Sequence, residues 1–189
     1  MLVVCEGEKT EPNYFEEIRK SARIAPADIR VIPSELGTQP LRVVESAIRE
    51  FSKKKAYDRV YAVFDRDDHE NYANAIHKAE AQNGKLKNDE GKPISFCAIV
   101  SVPCFEFWLL LHFVDVRALL PRVDVYDRLR QHIPEYQKNA NDVYERTEHL
   151  FDVASERANA LRVNSNRLTG TDAYTDVDKL VGHLRSLKR

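Results

Sequence analysis

The sequence predicts an α/β fold with a mostly parallel four-stranded sheet flanked by helices, followed by a C-terminal helical extension. Short apolar runs typical of buried strands alternate with stretches of helical periodicity, which is the pattern of a parallel sheet. Beyond residue 115 the strand pattern stops, while amphipathic helical periodicity continues. We therefore divide the 189 residues into an α/β domain at 1–115 and a helical extension at 116–189 that packs on it.

The first strand is predicted at Leu2–Cys5, because these residues form a continuous apolar run. Gly7 then allows a turn, and Thr10 and Pro12 mark a helix start, since proline is well tolerated in a first helical turn. The unit repeats in outline with a second strand at 29–32. Because few domains begin inside their central sheet, the sequence leaves open whether a native leader precedes Met1.

The remaining elements of the α/β domain follow the same alternation. Pro40 opens a helix with one apolar face, and a third strand rich in β-branched and aromatic residues follows at 60–64. A helix is predicted at 70–81 and a fourth strand at 94–102. Residues 104–113 are apolar on all sides, which indicates a buried helix.

The extension reads as helices with one polar loop. Residues 125–132 predict a short helix, and 142–161 predict one long amphipathic helix. A polar loop spans 164–174, and Thr175 is expected to cap the last helix.

Composition narrows the class of protein. The net charge is −1, so the chain lacks the overall positive charge of a protein that binds nucleic acid by electrostatic attraction alone. No apolar run reaches the ~18 residues of a membrane span, and no signal peptide is evident, so we expect no membrane association. Cys5, Cys97 and Cys104 are an odd set without paired spacing, which argues against disulfides and structural zinc and favours reduced thiols in the cytoplasm.

Acidic residues follow three of the predicted strands. Glu6 and Glu11 come after the first strand, Asp65 and Asp67 after the third, and Glu106 after the fourth. Because ligands bind at the carboxyl ends of parallel strands, we expect these carboxylates to meet at one edge of the sheet. Any one of these acidic motifs alone is as typical of a solvated turn as of a functional site. For Glu106 the alternative is a structural role, in which N–H groups at a helix start bind its carboxylate.

Clustered carboxylates repel one another unless a cation joins them, and hard oxygen ligands suit Mg²⁺ or Mn²⁺. In extended chain Asp65 and Asp67 would point the same way and reach one ion. Either Glu6 or Glu11 is a candidate ligand for a second ion, and Glu6 is alternatively a proton carrier. Lys9 is a candidate phosphate contact.

Two histidines receive different interpretations. His69 lies beside the acidic run and, with Arg66, is a candidate substrate contact. His112 lies in an apolar helix, where a structural role is favoured.

Four blocks of the chain resemble the RloB-like protein family. They are VCEGEKTEPNYF at 4–15, FDRDDH at 64–69, PCFEFWLLLHF at 103–113 and TDVDKLV at 175–181. The family is similar to Toprim-like domains, which carry a glutamate after the first strand and an Asp-x-Asp after the third. The resemblance therefore implies a Toprim-like sheet and magnesium-dependent phosphoryl chemistry on nucleic acid.

On this resemblance Glu6, Asp65 and Asp67 match the Toprim acidic residues and are the implied catalytic group. Glu11 resembles the second glutamate of OLD-type nucleases, with a spacing of five instead of four, and Glu106 matches a further acidic ligand. The chain departs from the family at Val102, where an asparagine is usual.

The function that the resemblance implies is a Mg²⁺- or Mn²⁺-dependent endonuclease of a bacterial antiphage system, with RNA or DNA as substrate. The alternatives are a non-catalytic module that binds nucleotides or nucleic acid, and a subunit that acts with a partner protein in a defence complex. A homo-oligomer is compatible with each of these.

Overall fold

The computed structural model describes residues 1–67 and 69–188, and it confirms the predicted α/β architecture. Within those residues, four strands run parallel to one another: β1 (Leu2–Cys5), β2 (Arg30–Pro33), β3 (Arg59–Asp65) and β4 (Ser95–Val102). A fifth strand, β5 (Tyr174–Thr175), runs antiparallel beside β4, so the order across the sheet is β2-β1-β3-β4-β5.

Helices cover both faces of the sheet. In the described part of the chain they are α1 (Thr10–Ser21), α2 (Pro40–Lys54), α3 (Tyr72–Gln82), α4 (Phe105–Leu111), α5 (Arg122–His132), α6 (Val143–Thr147), α7 (Phe151–Asn164) and α8 (Val177–Ser186). None of the described helices is both long enough and apolar enough to cross a membrane.

The alternation of side chains along β1 divides the hydrophobic core between the two faces of the sheet. Leu2 and Val4 pack in the core that α2 and α3 cover, while Val3 and Cys5 pack on the opposite face. That second core also contains residues from α4 and from the helices of the extension. The extension thus packs on the sheet, and the domain boundary near residue 115 stays a prediction.

Helix α4 is buried along its whole length, as its apolar sequence predicts. The indole N–H of Trp108 donates a hydrogen bond of 3.0 Å to the hydroxyl of Tyr14 on α1. Nδ1 of His112 lies 3.1 Å from the carbonyl oxygen of Trp108 and 3.2 Å from that of Leu109, so this nitrogen carries the proton. Burial lowers the pKa of His112 to about 4, which agrees with the predicted structural role.

The prediction of one long helix at 142–161 is wrong, because the chain forms α6, a 3₁₀ turn at Glu148–Leu150, and α7. The hydroxyl of Thr147 donates to the carbonyl oxygens of Val143 and Tyr144 at 2.8 and 3.3 Å. Hydrogen bonds of this kind compete with the backbone ladder and favour a bend, and the helix is interrupted directly after Thr147.

The predicted strand count is one too low. The polar loop ends in β5, where Thr175 pairs with Ser101 and Tyr174 with Val102. A two-residue strand carries too little periodicity to be recognised in a sequence. The N-cap of the last helix is Asp176 and not the predicted Thr175, although the hydroxyl of Thr175 accepts the N–H of Val177 at 3.2 Å.

Backbone hydrogen bonds continue past the ends of the central strands and bring the following turns together. The N–H of Glu6 donates to Val63, that of Arg66 to Ser101, and that of Asp67 to Pro103. The segments after β1, β3 and β4 therefore meet at one edge of the sheet, as the sequence predicts.

Candidate functional site

An acidic pocket of about 340 Å³ lies at the carboxyl edge of the sheet. Five acidic residues line it: the exposed Glu8, and Glu6, Glu11, Asp65 and Glu106, which are the four that the sequence analysis singled out. Glu6 follows β1, Glu11 lies in the first turn of α1, Asp65 ends β3, and Glu106 lies in the first turn of α4. The structure thus places four of the five predicted metal-binding residues around one cavity.

Asp65 is a buried acid at the end of β3. Its side chain is buried, and no hydrogen bond from the described residues reaches its carboxylate. Burial, reinforced by the nearby carboxylates of Glu6 and Glu11, raises the pKa of Asp65 well above its usual value. A buried carboxylate without a donor is the group that a cation would stabilise most.

Glu6 lies beside Asp65 and is held by its backbone. Oε2 of Glu6 accepts the N–H of Asp65 at 2.8 Å. Burial raises the pKa of Glu6 to about 8, and the carboxylates of Glu11 and Asp67 add to this effect. At neutral pH the pocket therefore retains protons that a bound cation would displace.

Glu11 is held by the turn that precedes its helix. The N–H of Gly7 donates to Oε1 of Glu11 at 3.2 Å, and a side chain at position 7 would collide with the same carboxylate. Burial raises the pKa of Glu11 as well. Gly7 is thus needed for the close approach of the backbone to this carboxylate.

Glu106 is almost completely buried inside the apolar stretch of α4. Its Oε1 accepts a hydrogen bond of 3.1 Å from the hydroxyl of Tyr136. Tyr136 lies in the loop after α5, and nothing in the sequence pattern connects it with Glu106. The carboxylate is therefore satisfied in part by a side chain that the sequence analysis missed.

Asp67 is separated from the acidic pocket by the course of the backbone. Its φ of 35° turns the chain out of the extended conformation, so the expectation that Asp65 and Asp67 point the same way does not hold. Asp67 lines a neighbouring cleft of about 840 Å³. Ligand atoms of Glu6, Asp67 and His69 nevertheless lie within 4.8 Å of one another, a spacing that suits a metal ion.

Basic side chains border both cavities. Lys9 and Lys138 line the acidic pocket, and the phosphate contact expected of Lys9 stays a prediction. Arg122 lines both the pocket and the cleft, and its Nη1 lies 2.5 and 2.6 Å from the two carboxylate oxygens of Asp67. Arg122 and Lys138 were not predicted, because they lie in the extension and no local motif marks them.

Arg66 and His69 lie in the cleft and not in the acidic pocket. Nη1 of Arg66 donates to the backbone oxygen of Asp67 at 2.6 Å, and its guanidinium lies 5.7 Å from the ring centroid of Tyr72. Asp68, the remaining acid of this turn, lies outside the described residues.

The donor set fits a hard divalent cation. The pocket offers carboxylate oxygens from several segments of the chain, which are the ligands that Mg²⁺ and Mn²⁺ prefer. Among the described residues, the group whose ligand atoms lie close enough to share one ion is Glu6, Asp67 and His69. Cys5 and Cys104 are buried free thiols near this edge, and burial raises the pKa of the Cys104 thiol above its usual range, so a thiolate site is disfavoured.

A family model described as RloB-like protein matches residues 1–184, which is nearly the whole chain. No curated protein and no solved structure is detectably similar to it. The match includes every residue of the acidic pocket and of the cleft.

Proposed function

This chain belongs to the RloB-like family, and from that premise and the acidic pocket we propose that it is a nuclease dependent on Mg²⁺ or Mn²⁺. In this proposal it hydrolyses phosphodiester bonds of RNA or DNA as part of a bacterial antiphage system. The observation that carries the proposal is the convergence of Glu6, Glu11, Asp65 and Glu106 on one cavity, although they lie on separate segments.

Each side chain of the pocket has a task in this chemistry. Glu6, Asp65 and Asp67 are the proposed core of the metal site, and Glu11 and Glu106 extend it. A bound divalent cation would lower the pKa of a water molecule and neutralise charge on the phosphate oxygens. Lys9 and Lys138, at the rim, would hold the phosphate as point charges.

Glu6 has a second proposed task. Its pKa of about 8 means that its carboxyl group holds a proton at neutral pH in the metal-free protein. This task is the alternative to metal binding: where the other acids hold the cation, a carboxyl group with such a pKa is suited to exchange a proton with an attacking water or a leaving oxygen.

Cleavage of a mixed panel of tRNA, single-stranded RNA and DNA, in Mg²⁺, Mn²⁺ or EDTA, tests the proposal. Asp65→Asn is the informative variant, because it replaces a buried carboxylate at the end of β3 by an amide of the same shape. We expect it to lower the cleavage rate by about a hundredfold or more. Asp67→Ala is less informative, because it also releases Arg122.

The matched control is Asp152→Asn, at an exposed position on α7. This variant should cleave at the rate of the wild type. Equal rates for the two asparagine variants would refute the assignment of the acidic pocket as the metal site.

The second candidate function is a non-catalytic module that binds nucleotides or nucleic acid, alone or as a subunit of a defence complex. The observation in its favour is that four of the acids already have protein partners: Asp67 has Arg122, Glu106 has Tyr136, and Glu11 and Glu6 accept the N–H groups of Gly7 and Asp65. Metal-dependent binding of nucleic acid without any product, by folded wild-type protein, would favour this function.

A further inference from the structure

We infer that the cleft of about 840 Å³ beside the acidic pocket binds an unpaired nucleoside unit of the nucleic acid. This base cleft lies between the turn after β3 and the segment that leads into α5. The residues that carry the inference are Arg66, His69, Pro103, Leu119, Pro121 and Arg122. The inference rests on the proposed function, in that it names the state of the strand that the same site would take.

One wall of the base cleft is apolar and open to solvent. Leu119 is 44% exposed, Pro121 is exposed, and Pro103 is partly exposed. Contiguous apolar surface that stays exposed marks binding grooves, and a cavity of this volume is in the range of small-ligand sites. The flat face of a nucleobase is apolar and would cover this wall.

The other side of the base cleft is basic. Arg66 and Arg122 reach Asp67 from two directions, one at its backbone oxygen and one at its carboxylate. Each guanidinium has further N–H groups beyond those used, and these can bind phosphate oxygens.

The side chain of Arg66 packs against two neighbours. Its guanidinium lies over the ring of Tyr72, and its side chain lies so close to Gly170 that a Cβ there would collide with it. A preorganised arginine loses less side-chain entropy when it binds an anion.

Continuity with the acidic pocket favours a nucleic acid over a peptide as the occupant. Arg122 lines both cavities, so a phosphate bound to it lies between the proposed metal site and the base cleft. In a nucleotide strand each nucleoside is joined to a phosphate, so a base in the base cleft would place its phosphate beside the proposed metal site.

The form of the cleft favours an unpaired base. In a duplex both faces of a base are stacked, and only its edges are accessible in the grooves. An apolar wall contacts faces and not edges, so it discriminates in favour of single strands, in which bases can unstack.

Binding of a short fluorescein-labelled single strand in EDTA tests the inference without any need for cleavage. The wild type should bind this strand about tenfold more tightly than a strand with the same backbone but abasic nucleotides. Leu119→Ser should weaken binding of the normal strand and should bring the two strands within about threefold of each other.

Val153→Ser, at a position on α7 that is 40% exposed, is the matched control and should behave as the wild type. Equal affinity of the wild type for normal and abasic strands would overturn the inference, whatever the variants do, and so would absence of binding to both. Because the measurement is made in EDTA, these outcomes do not depend on whether the protein cleaves. Loss of metal-dependent cleavage in the Asp65→Asn test addresses the proposed function separately.

Discussion

The guanidinium of Arg122 contacts both carboxylate oxygens of Asp67, at 2.5 and 2.6 Å, although the two residues are 55 positions apart. Arg122 begins α5 and Asp67 lies in the turn after β3. The ion pair joins the helical extension to the sheet. It also places a positive charge of the protein where a metal ion would compete for the same carboxylate.

Replacement of Arg122 should therefore strengthen metal binding. In Arg122→Gln the carboxylate of Asp67 loses its internal cation, and we expect the affinity for Mn²⁺ to rise by about fivefold, the value of a partly exposed ion pair. Isothermal titration calorimetry measures this change. Arg128→Gln, on the exposed side of the same helix, is the control. Weaker Mn²⁺ binding in Arg122→Gln alone would show that Arg122 supports the site and does not compete with the ion.

The stability of the metal-free protein should decrease as the pH rises. Glu6 has a pKa of about 8 in the folded state against 4.5 in the unfolded state, so the folded state binds more protons between these values. The stabilisation is complete below pH 4.5 and is lost as the pH rises through about 8. Urea unfolding in EDTA at a series of pH values measures this dependence.

Glu6→Gln removes the titrating group and keeps an oxygen that can accept the N–H of Asp65. We expect its free energy of unfolding to fall less steeply with pH than that of the wild type. Glu156→Gln, an exposed substitution on α7, should retain the wild-type slope. Identical slopes for all three proteins would contradict the raised pKa of Glu6.

Two glycine substitutions should have opposite effects. In Gly7→Ala the new methyl group collides with the carboxylate of Glu11, and we expect a loss of about 1–3 kcal/mol of unfolding free energy together with weaker Mn²⁺ binding. In Gly182→Ala, inside α8, the nearest atom to the new Cβ is Cζ of Phe151 at 3.6 Å, an ordinary contact. This second variant should gain up to about 1 kcal/mol from helix propensity.

Thermal unfolding of both glycine variants, with and without Mn²⁺, measures these differences. A Gly7→Ala protein with wild-type stability and wild-type Mn²⁺ affinity would show that Glu11 moves aside without consequence. The position of Glu11 in the acidic pocket would then not matter for metal binding.

Tyr136→Phe should destabilise the protein through Glu106. The change removes the hydroxyl that donates to a buried carboxylate, and we expect a loss of about 1–3 kcal/mol in denaturant unfolding. Tyr57→Phe is the control, since among the described residues its hydroxyl has no hydrogen-bond partner, and its effect should lie within about 0.5 kcal/mol. If both variants are equally stable, the hydrogen bond to Glu106 does not contribute to folding.

The spacing of apolar residues predicted the strands and helices of the α/β part. It failed where an element is very short or where a helix is interrupted. Strands β1, β3 and β4 are buried apolar runs, so periodicity alone located them. Strand β5 is only two residues long, and the break after α6 falls at a threonine whose hydroxyl donates to a backbone carbonyl group. Neither feature produces a periodic pattern in the sequence.

The acids of the site were predicted because each follows a strand, and parallel strands bring their carboxyl ends to one edge. The sequence by itself therefore determined the layered fold and the set of residues Glu6, Glu11, Asp65 and Glu106 that share the pocket. Strands and helices follow from the residue types and their spacing within short segments, so this part of the structure can be predicted from the sequence.

Only the tertiary structure decided which side chains pair with Glu106 and Asp67, and on which side of the turn Asp67 lies. The positive φ of Asp67 directs it to the base cleft, and Arg122, Tyr136 and Lys138 reach the site from the extension. A contact between residues more than fifty positions apart leaves no periodic trace in the sequence, because it depends on how helices pack on the sheet and not on the chain around either residue.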